Sequence, residues 1–375
     1  MKKSEENSQA TYQPADSFVR VATACPEVSV ADVGTNVARI SELYTAASKQ
    51  NAALVVFPEL SITGYTLGDL VQHKRLLDQA MSGLQMLAET TQDQRAAMIV
   101  GLPIRIHGGL YNTAATLADG EIKGIVPKSH LPTYNEFYER RWYETWNEPD
   151  TTLKIGDAEV PFGTDLLFDI AGTTVGVEIC EDAWVANPPS TRQALRGAQI
   201  IANPSASPEQ IGKAQYRRDM VRMHSGQLIA GYLYAGCHTT ESTAEVVMGG
   251  HQIIAADGAL LAERRPFGSD NLLLADIDID HLDHDRRKQH MAQEVGAELI
   301  STKIVRRQKN LLRAPEPSPF HPRHEPDDSM TDRLDAALNI QAYGLAMRMQ
   351  ASQQNRVILG LSGGPRFHPR AVSSS

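Results

Sequence analysis

The chain has 375 residues, a formal net charge of -9, and 42% hydrophobic residues, enough for one large domain and the start of a second. An acidic balance without a basic stripe argues against a nucleic-acid partner, and no apolar run reaches the about 18 residues that would span a bilayer, so no membrane partner is expected. Three scattered cysteines, Cys25, Cys180 and Cys237, make no disulfide framework, and a free thiol needs a reducing compartment, so the cytoplasm is the expected location.

Residues 1–16, MKKSEENSQATYQPAD, carry two lysines but no apolar stretch behind them, so they read as a flexible tail, neither signal peptide nor anchor. Short apolar runs then predict strands at 18–24, 53–57, 97–102, 112–117, 121–126, 174–179 and 199–202. Amphipathic stretches at 36–50, 76–90 and 215–229 predict helices between several of them. Further strands are expected at 231–236, 246–255, 259–263 and 272–277, with Asp257-Gly258 as a hairpin turn. This pattern gives sheets covered by helices on one side. Residues 306–330 are rich in proline and charge and read as a linker; 331–351 has helical periodicity, and 356–361 is a buried-type strand running into Ser362-Gly363-Gly364.

Three strand ends carry chemistry. The run Val175-Gly176-Val177-Glu178-Ile179 delivers Cys180 immediately before Glu181-Asp182, where a thiol can serve as a nucleophile; a packed, inert cysteine is the alternative. Leu54 to Phe57 ends at Pro58 and delivers Glu59, placed as a general base would be, and Gly124 to Pro127 delivers Lys128. Each of these two alone also fits a solvated strand end. Together they supply the nucleophile, proton acceptor and cation that amide hydrolysis needs. Trp184 suits an apolar wall or an ordinary core position.

The segments FPELSITGYTLGDL (57 to 70), PKSHLPTYNEFYERRWY (127 to 143) and GVEICEDAW (176 to 184) resemble, in order and spacing, the glutaminase domain of glutamine-dependent NAD+ synthetases, within the nitrilase or carbon–nitrogen hydrolase superfamily. The resemblance spans about residues 17 to 310. It implies an α-β-β-α sandwich over 17–305 and hydrolysis of glutamine to glutamate and ammonia by Cys180, Glu59 and Lys128 through a thioester. It also implies that Tyr65, Tyr134, Glu181 and Ser207 hold the glutamine, together with Lys213, where the family often has an arginine with a two-pronged grip. Without the family, Glu181 reads as an acidic turn residue.

The same resemblance implies homo-oligomers and a synthetase domain beginning near 331. That domain's ATP loop, SGGxDS, is present only as Ser362, Gly363 and Gly364, followed by Pro365 and Arg366. Residues 331–375 are therefore expected to be a truncated start that does not bind ATP. ATP and Mg would belong to the missing domain only, and the glutaminase step needs no cofactor or metal. An amidase for another amide or carbamoyl compound, or an inactive fragment, are the alternative functions. His281, His284, His321 and His324 lack metal-site spacing and read as surface residues. Arg140, Arg141, Arg217 and Arg218 read as solvated faces or ion pairs, and Cys25 and Cys237 as packed thiols.

Overall fold

The computed structural model describes residues 14–92, 94–243, 245–291, 298–306, 310–313 and 330–358. The tail up to residue 13, most of the 306–330 linker and the Ser362-Gly363-Gly364 loop lie outside them. The chain divides into two compact units, Met1–Arg313 and Ala314–Ser375.

In the first unit the elements run β1 (Phe18–Ala24), α1 (Val33–Lys49), β2 (Leu54–Val56), α2 (Lys74–Thr90), β3 (Ala97–Ile106), β4 (Gly109–Ala118), β5 (Glu121–Pro127), β6 (Thr151–Ile155), β7 (Ala158–Phe162), β8 (Leu167–Asp169) and β9 (Thr174–Val177). They continue through α3 (Pro189–Leu195), β10 (Ile200–Ser205), α4 (Lys213–Leu228), β11 (Gly231–Gly236), β12 (Gln252–Ala256), β13 (Ala259–Arg264), β14 (Leu272–Asp278), α5 (Ile279–Lys288) and β15 (Leu299–Ser301). One eight-stranded sheet has the order β14-β1-β2-β3-β4-β5-β7-β6, and a seven-stranded sheet has the order β13-β12-β11-β10-β9-β8-β15.

Strand periodicity sorts the apolar side chains into three layers. Val19 and Val21 of β1, Leu54 and Val56 of β2, and Ala97 and Ile99 of β3 meet Val175, Val177, Ile200, Ala202 and Leu233 of the other sheet in the central core. The alternate residues Ala22, Val55, Met98 and Val100 turn outward to α1 and α2, which bury Val37, Ile40, Tyr44, Ala80, Leu84 and Leu87 at helical spacing. On the opposite face Ile201, Tyr232, Tyr234 and Ile253 pack with Val221 and Leu228 of α4 and Ala194 of α3. The result is the expected α-β-β-α sandwich.

Directions within the sheets decide where the site forms. Strands β1, β2 and β3 are parallel, and two antiparallel steps through β4 return β5 to the direction of β2. Strands β9, β10 and β11 are likewise parallel. Carboxyl ends of β2 and β5 therefore lie at one edge of their sheet, as those of β9 and β10 do in theirs.

Several elements differ from the sequence expectation. Residues 246–251 are not strand, and β12 starts only at Gln252. Strands β6, β7, β8 and β15 and helices α3 and α5 were not anticipated. The β6–β7 hairpin is a sheet edge with exposed Thr151, Thr152 and Lys154, and edge strands have no continuous apolar pattern to read. Pro14–Ser17 forms a 3-10 turn leading into β1, where an open tail was expected. In the second unit, α6 (Met330–Ala351) matches the periodicity, with Leu338, Ile340 and Tyr343 exposed, whereas 354–358 has no regular structure where a strand was expected. Among the described residues no helix is long and apolar enough to cross a membrane.

Candidate active site

Glu59 follows β2 on a tight turn in which Leu60 adopts φ 51° and its carbonyl accepts the N–H groups of Thr63 at 3.0 Å and Gly64 at 2.7 Å. The turn sits on β3 at Gly101, where a Cβ would come within 2.2 Å of the Leu60 nitrogen. Only glycine leaves room for that approach. Lys128 follows β5 directly, its N–H held by the Asn112 carbonyl of β4 at 2.8 Å.

Both side chains are buried and bonded to each other. Lys128 Nζ donates to Glu59 Oε1 at 2.7 Å and to Glu139 Oε1 at 2.7 Å. Asn112 Nδ2 donates to the same Glu59 oxygen at 2.7 Å, and the Tyr65 hydroxyl donates to Glu139 Oε1 at 2.8 Å. One ammonium thus lies between two buried carboxylates. Burial alone would lower the Lys128 pKa, but Glu139 and Glu59 outweigh it and hold the side chain charged. Burial pushes the Glu139 carboxyl up to about 7 against the pull of Lys128.

Cys180 sits three residues past β9 at φ 46°, a left-handed conformation that costs a non-glycine residue about 1–3 kcal/mol. Its Sγ donates weakly to the Ala206 carbonyl at 3.8 Å, beyond β10. Underneath, Glu178 Oε2 accepts from Ser190 N–H at 2.9 Å and Glu178 Oε1 from the Tyr232 hydroxyl. Burial is the largest influence on the Cys180 thiol and pushes it well up; Glu59 adds to this and Lys128 opposes it. Burial thus favours the protonated form of this thiol.

In front of Cys180 lies a pocket of about 360 Å³ whose lining includes Tyr134, Glu181, Trp184, Ser207 and Lys213. Five of the six residues expected to contact substrate thus line one pocket with Cys180. Tyr134 donates its hydroxyl to Glu181 Oε2 at 2.9 Å. Trp184 stacks on Tyr216 with centroids 5.5 Å apart, and Lys213 Nζ lies 5.7 Å from the Trp184 ring centroid. Tyr65 is placed differently. It lines an adjoining cavity of about 420 Å³ with Glu139, and the two cavities share Glu136 and Phe137.

Glu139 and Asn112 escaped the sequence reading. Glu139 lies within the lysine motif, eleven residues after Lys128, and that extra carboxylate is the signal that was available. Arg217 and Arg218 are ion-paired rather than solvated, the second of the two arrangements expected for them. Arg217 is fully buried, donating to Glu209 Oε1 at 2.8 Å and Ser207 Oγ at 3.1 Å beside His251, and Arg218 pairs with Glu263. Arg141 is exposed and paired with Asp69. Cys25 and Cys237 are buried, and His281 and His284 are exposed, as expected. His321 and His324 lie outside the described residues.

Comparison with known proteins places this arrangement. Glutamine-dependent NAD(+) synthetases of Mycobacterium bovis and Mycobacterium tuberculosis are 37% identical over 96% of this chain and 54% of their own length. That of Thermotoga maritima is 28% identical over 92% of this chain and 56% of its own. The chain spans about half the length of these curated relatives. Among solved structures, a glutamine-dependent NAD(+) synthetase from Cytophaga hutchinsonii matches with a TM-score of 0.63 and 29% identity over 70% of this chain and 43% of that one. An amidase of the nitrilase superfamily from Nesterenkonia shares the fold, with a TM-score of 0.56 and 21% identity over 72% of this chain and 95% of its own. The carbon-nitrogen hydrolase family model covers residues 18–287, which contain both sheets but for β15, and every residue of the buried cluster. By that match over most of its length, the chain belongs to the carbon–nitrogen hydrolase family.

Proposed function

We propose that this chain hydrolyses the side-chain amide of glutamine, as the ammonia-releasing part of a glutamine-dependent NAD+ synthetase. The observation that carries the reading is the pocket itself. Glu181 with Tyr134 offers a carboxylate and a hydroxyl to an α-ammonium group, while Lys213 and Ser207 offer a cation and a hydroxyl to an α-carboxylate, all beside one buried thiol. A zwitterionic amino acid whose side chain ends in an amide matches that charge pattern; a simple amide would leave it unused.

In the reading's sequence of steps, Cys180 attacks the amide carbon as Glu59 takes the thiol proton. Lys128 donates to the oxygen that becomes negative. The proton passes from Glu59 to the leaving nitrogen, ammonia departs, and a thioester remains on Cys180. Water, deprotonated by Glu59, cleaves the thioester to glutamate and the free thiol. The step uses no cofactor. ATP and Mg belong to synthetase chemistry, which is not proposed for this chain.

The test is release of ammonia and glutamate from glutamine by the purified chain, beside a panel of simple amides, with Cys180→Ala as control. Glutamine turnover lost in the variant is the expected result. Turnover of simple amides in preference to glutamine would sink the substrate assignment, and activity retained in Cys180→Ala would sink the nucleophile.

A further inference from the structure

Strands β5 and β9, which deliver Lys128 and Cys180, belong to different sheets. β5 is hydrogen-bonded to β4 and β7, and β9 to β8 and β10, so among the described residues no backbone ladder fixes one strand end against the other. Yet the pull of the ammonium on the thiol falls off with their separation, and misplacement by about 1 Å can cost about a hundredfold in rate.

Asp182 supplies a direct link. It stands two residues past Cys180 and is 1% exposed. Its Oδ2 accepts the Ile179 N–H at 3.0 Å, closing the turn that carries the nucleophile. Its Oδ1 accepts the His130 N–H at 2.8 Å and the Ser129 N–H at 3.2 Å, and lies 2.9 Å from His130 Nδ1. Ser129 and His130 are the two residues directly after Lys128. One buried carboxylate thus ties the cysteine turn to the lysine strand end, segments 53 residues apart in sequence.

We propose that Asp182 is a positioning residue that sets the distance between Lys128 and Cys180 and thereby the readiness of the thiol to give up its proton. The inference rests on Cys180 being the nucleophile and not on which amide it attacks. It separates cleanly from an electrostatic role. If Asp182 acted only through its negative charge, removing that charge would ease ionisation of the thiol and move its titration down. If Asp182 acts by alignment, its loss moves Lys128 off the thiol and the titration goes up.

The experiment is the pH dependence of Cys180 alkylation by iodoacetamide in the full chain, read by mass spectrometry and set beside steady-state kinetics. In Asp182→Asn, an amide N–H faces backbone N–H donors. The midpoint is expected to rise by about half a pH unit or more, with kcat about tenfold lower and KM within about twofold. Asp182→Glu keeps the charge but displaces the carboxylate; it is expected to shift the midpoint in the same direction, and it carries the test should the asparagine variant fail to fold. An unchanged or lowered midpoint in the folded variants overturns the proposal. Wild-type Cys180 labelling no faster than Cys25 and Cys237 overturns the nucleophile assignment, and the proposal with it.

Discussion

The two halves of the site are built in opposite ways. Glu59, Lys128 and Glu139 are almost fully excluded from solvent and locked by bonds of 2.7 Å, whereas Tyr134, on the pocket wall, is half exposed and Glu181, Trp184 and Lys213 are partly so. A desolvated ammonium between two carboxylates is costly to assemble but needs no reorganisation when charge develops on the substrate. The pocket wall keeps contact with solvent, its Tyr134 bonded to Glu181 and its Trp184 stacked on Tyr216. If the buried half carries the proposed chemistry and the wall the proposed recognition, substitutions in the two halves should differ in kind as well as in size.

The sharpest contrast comes from Lys128→Met. It leaves two buried carboxylates without their cation, and breaking a buried pair in this way costs about 3–5 kcal/mol. Denaturant unfolding should show that loss, and activity should disappear with it. Adding Glu139→Gln to Lys128→Met should return part of the stability and none of the activity. Next in size is Gly101→Ala, far from the pocket in chemistry but directly beneath the Glu59 turn. Its Cβ has to displace the Leu60 backbone, an overpacking cost of about 1–3 kcal/mol. Because the displaced segment carries Glu59, the proposed general base, kcat should fall while KM for glutamine changes little. A fall in KM-type binding alone would show that the base turn is not what Gly101 supports.

How much of this was legible in the sequence follows the same division. Glu59, Lys128 and Cys180 each end an apolar run, and a strand that stops at a polar residue is a local signal needing no tertiary information. Glu139 and Asn112 join the Glu59–Lys128 cluster only when segments 80 and 53 residues from Glu59 converge on its buried carboxylate or its lysine partner, and no local pattern reports that. Arg217 is a half-legible case. Beside Arg218 on a polar helix it fits a solvated face or an ion pair, and only the folded chain selects the pair and brings Glu209, Ser207 and His251 around its guanidinium. The two-sheet sandwich itself was drawn from the family resemblance, since alternation within strands says which faces are buried but not the order of the strands.

A pH dependence should also separate the buried half from the wall. Burial pushes the Glu178 carboxyl up to about 7, opposed by the bonds it accepts from Tyr232 and Ser190. A carboxyl raised in the folded state binds its proton more tightly there than in the unfolded chain. The stability it contributes is therefore full below the unfolded value near 4.5 and is lost as pH rises toward 7. Glu178→Gln keeps the shape and removes the titration. The variant should lose less stability than the wild type between those pH values, by on the order of 1–3 kcal/mol, measured by urea unfolding across that range. Parallel stability curves for the two proteins would show that folding does not raise the Glu178 pKa.

The smallest effect belongs to the pocket wall, at Lys213. Its ammonium is partly buried, near Arg217 and over the Trp184 ring, and burial followed by the Arg217 charge lowers its pKa. A lysine in that position gives a carboxylate one point charge, while a guanidinium gives it two parallel N–H donors and stacks better on an indole face. Lys213→Arg should therefore lower KM for glutamine by about two- to tenfold, a difference of about 0.4–1.4 kcal/mol, with kcat nearly unchanged because the contact is the same in the ground and transition states. The gain should vanish for an amide lacking the α-carboxylate. If kcat moved instead of KM, or if the simple amide gained as much as glutamine, Lys213 would be acting on the Cys180 chemistry, and the division between buried chemistry and wall recognition would not hold at this residue.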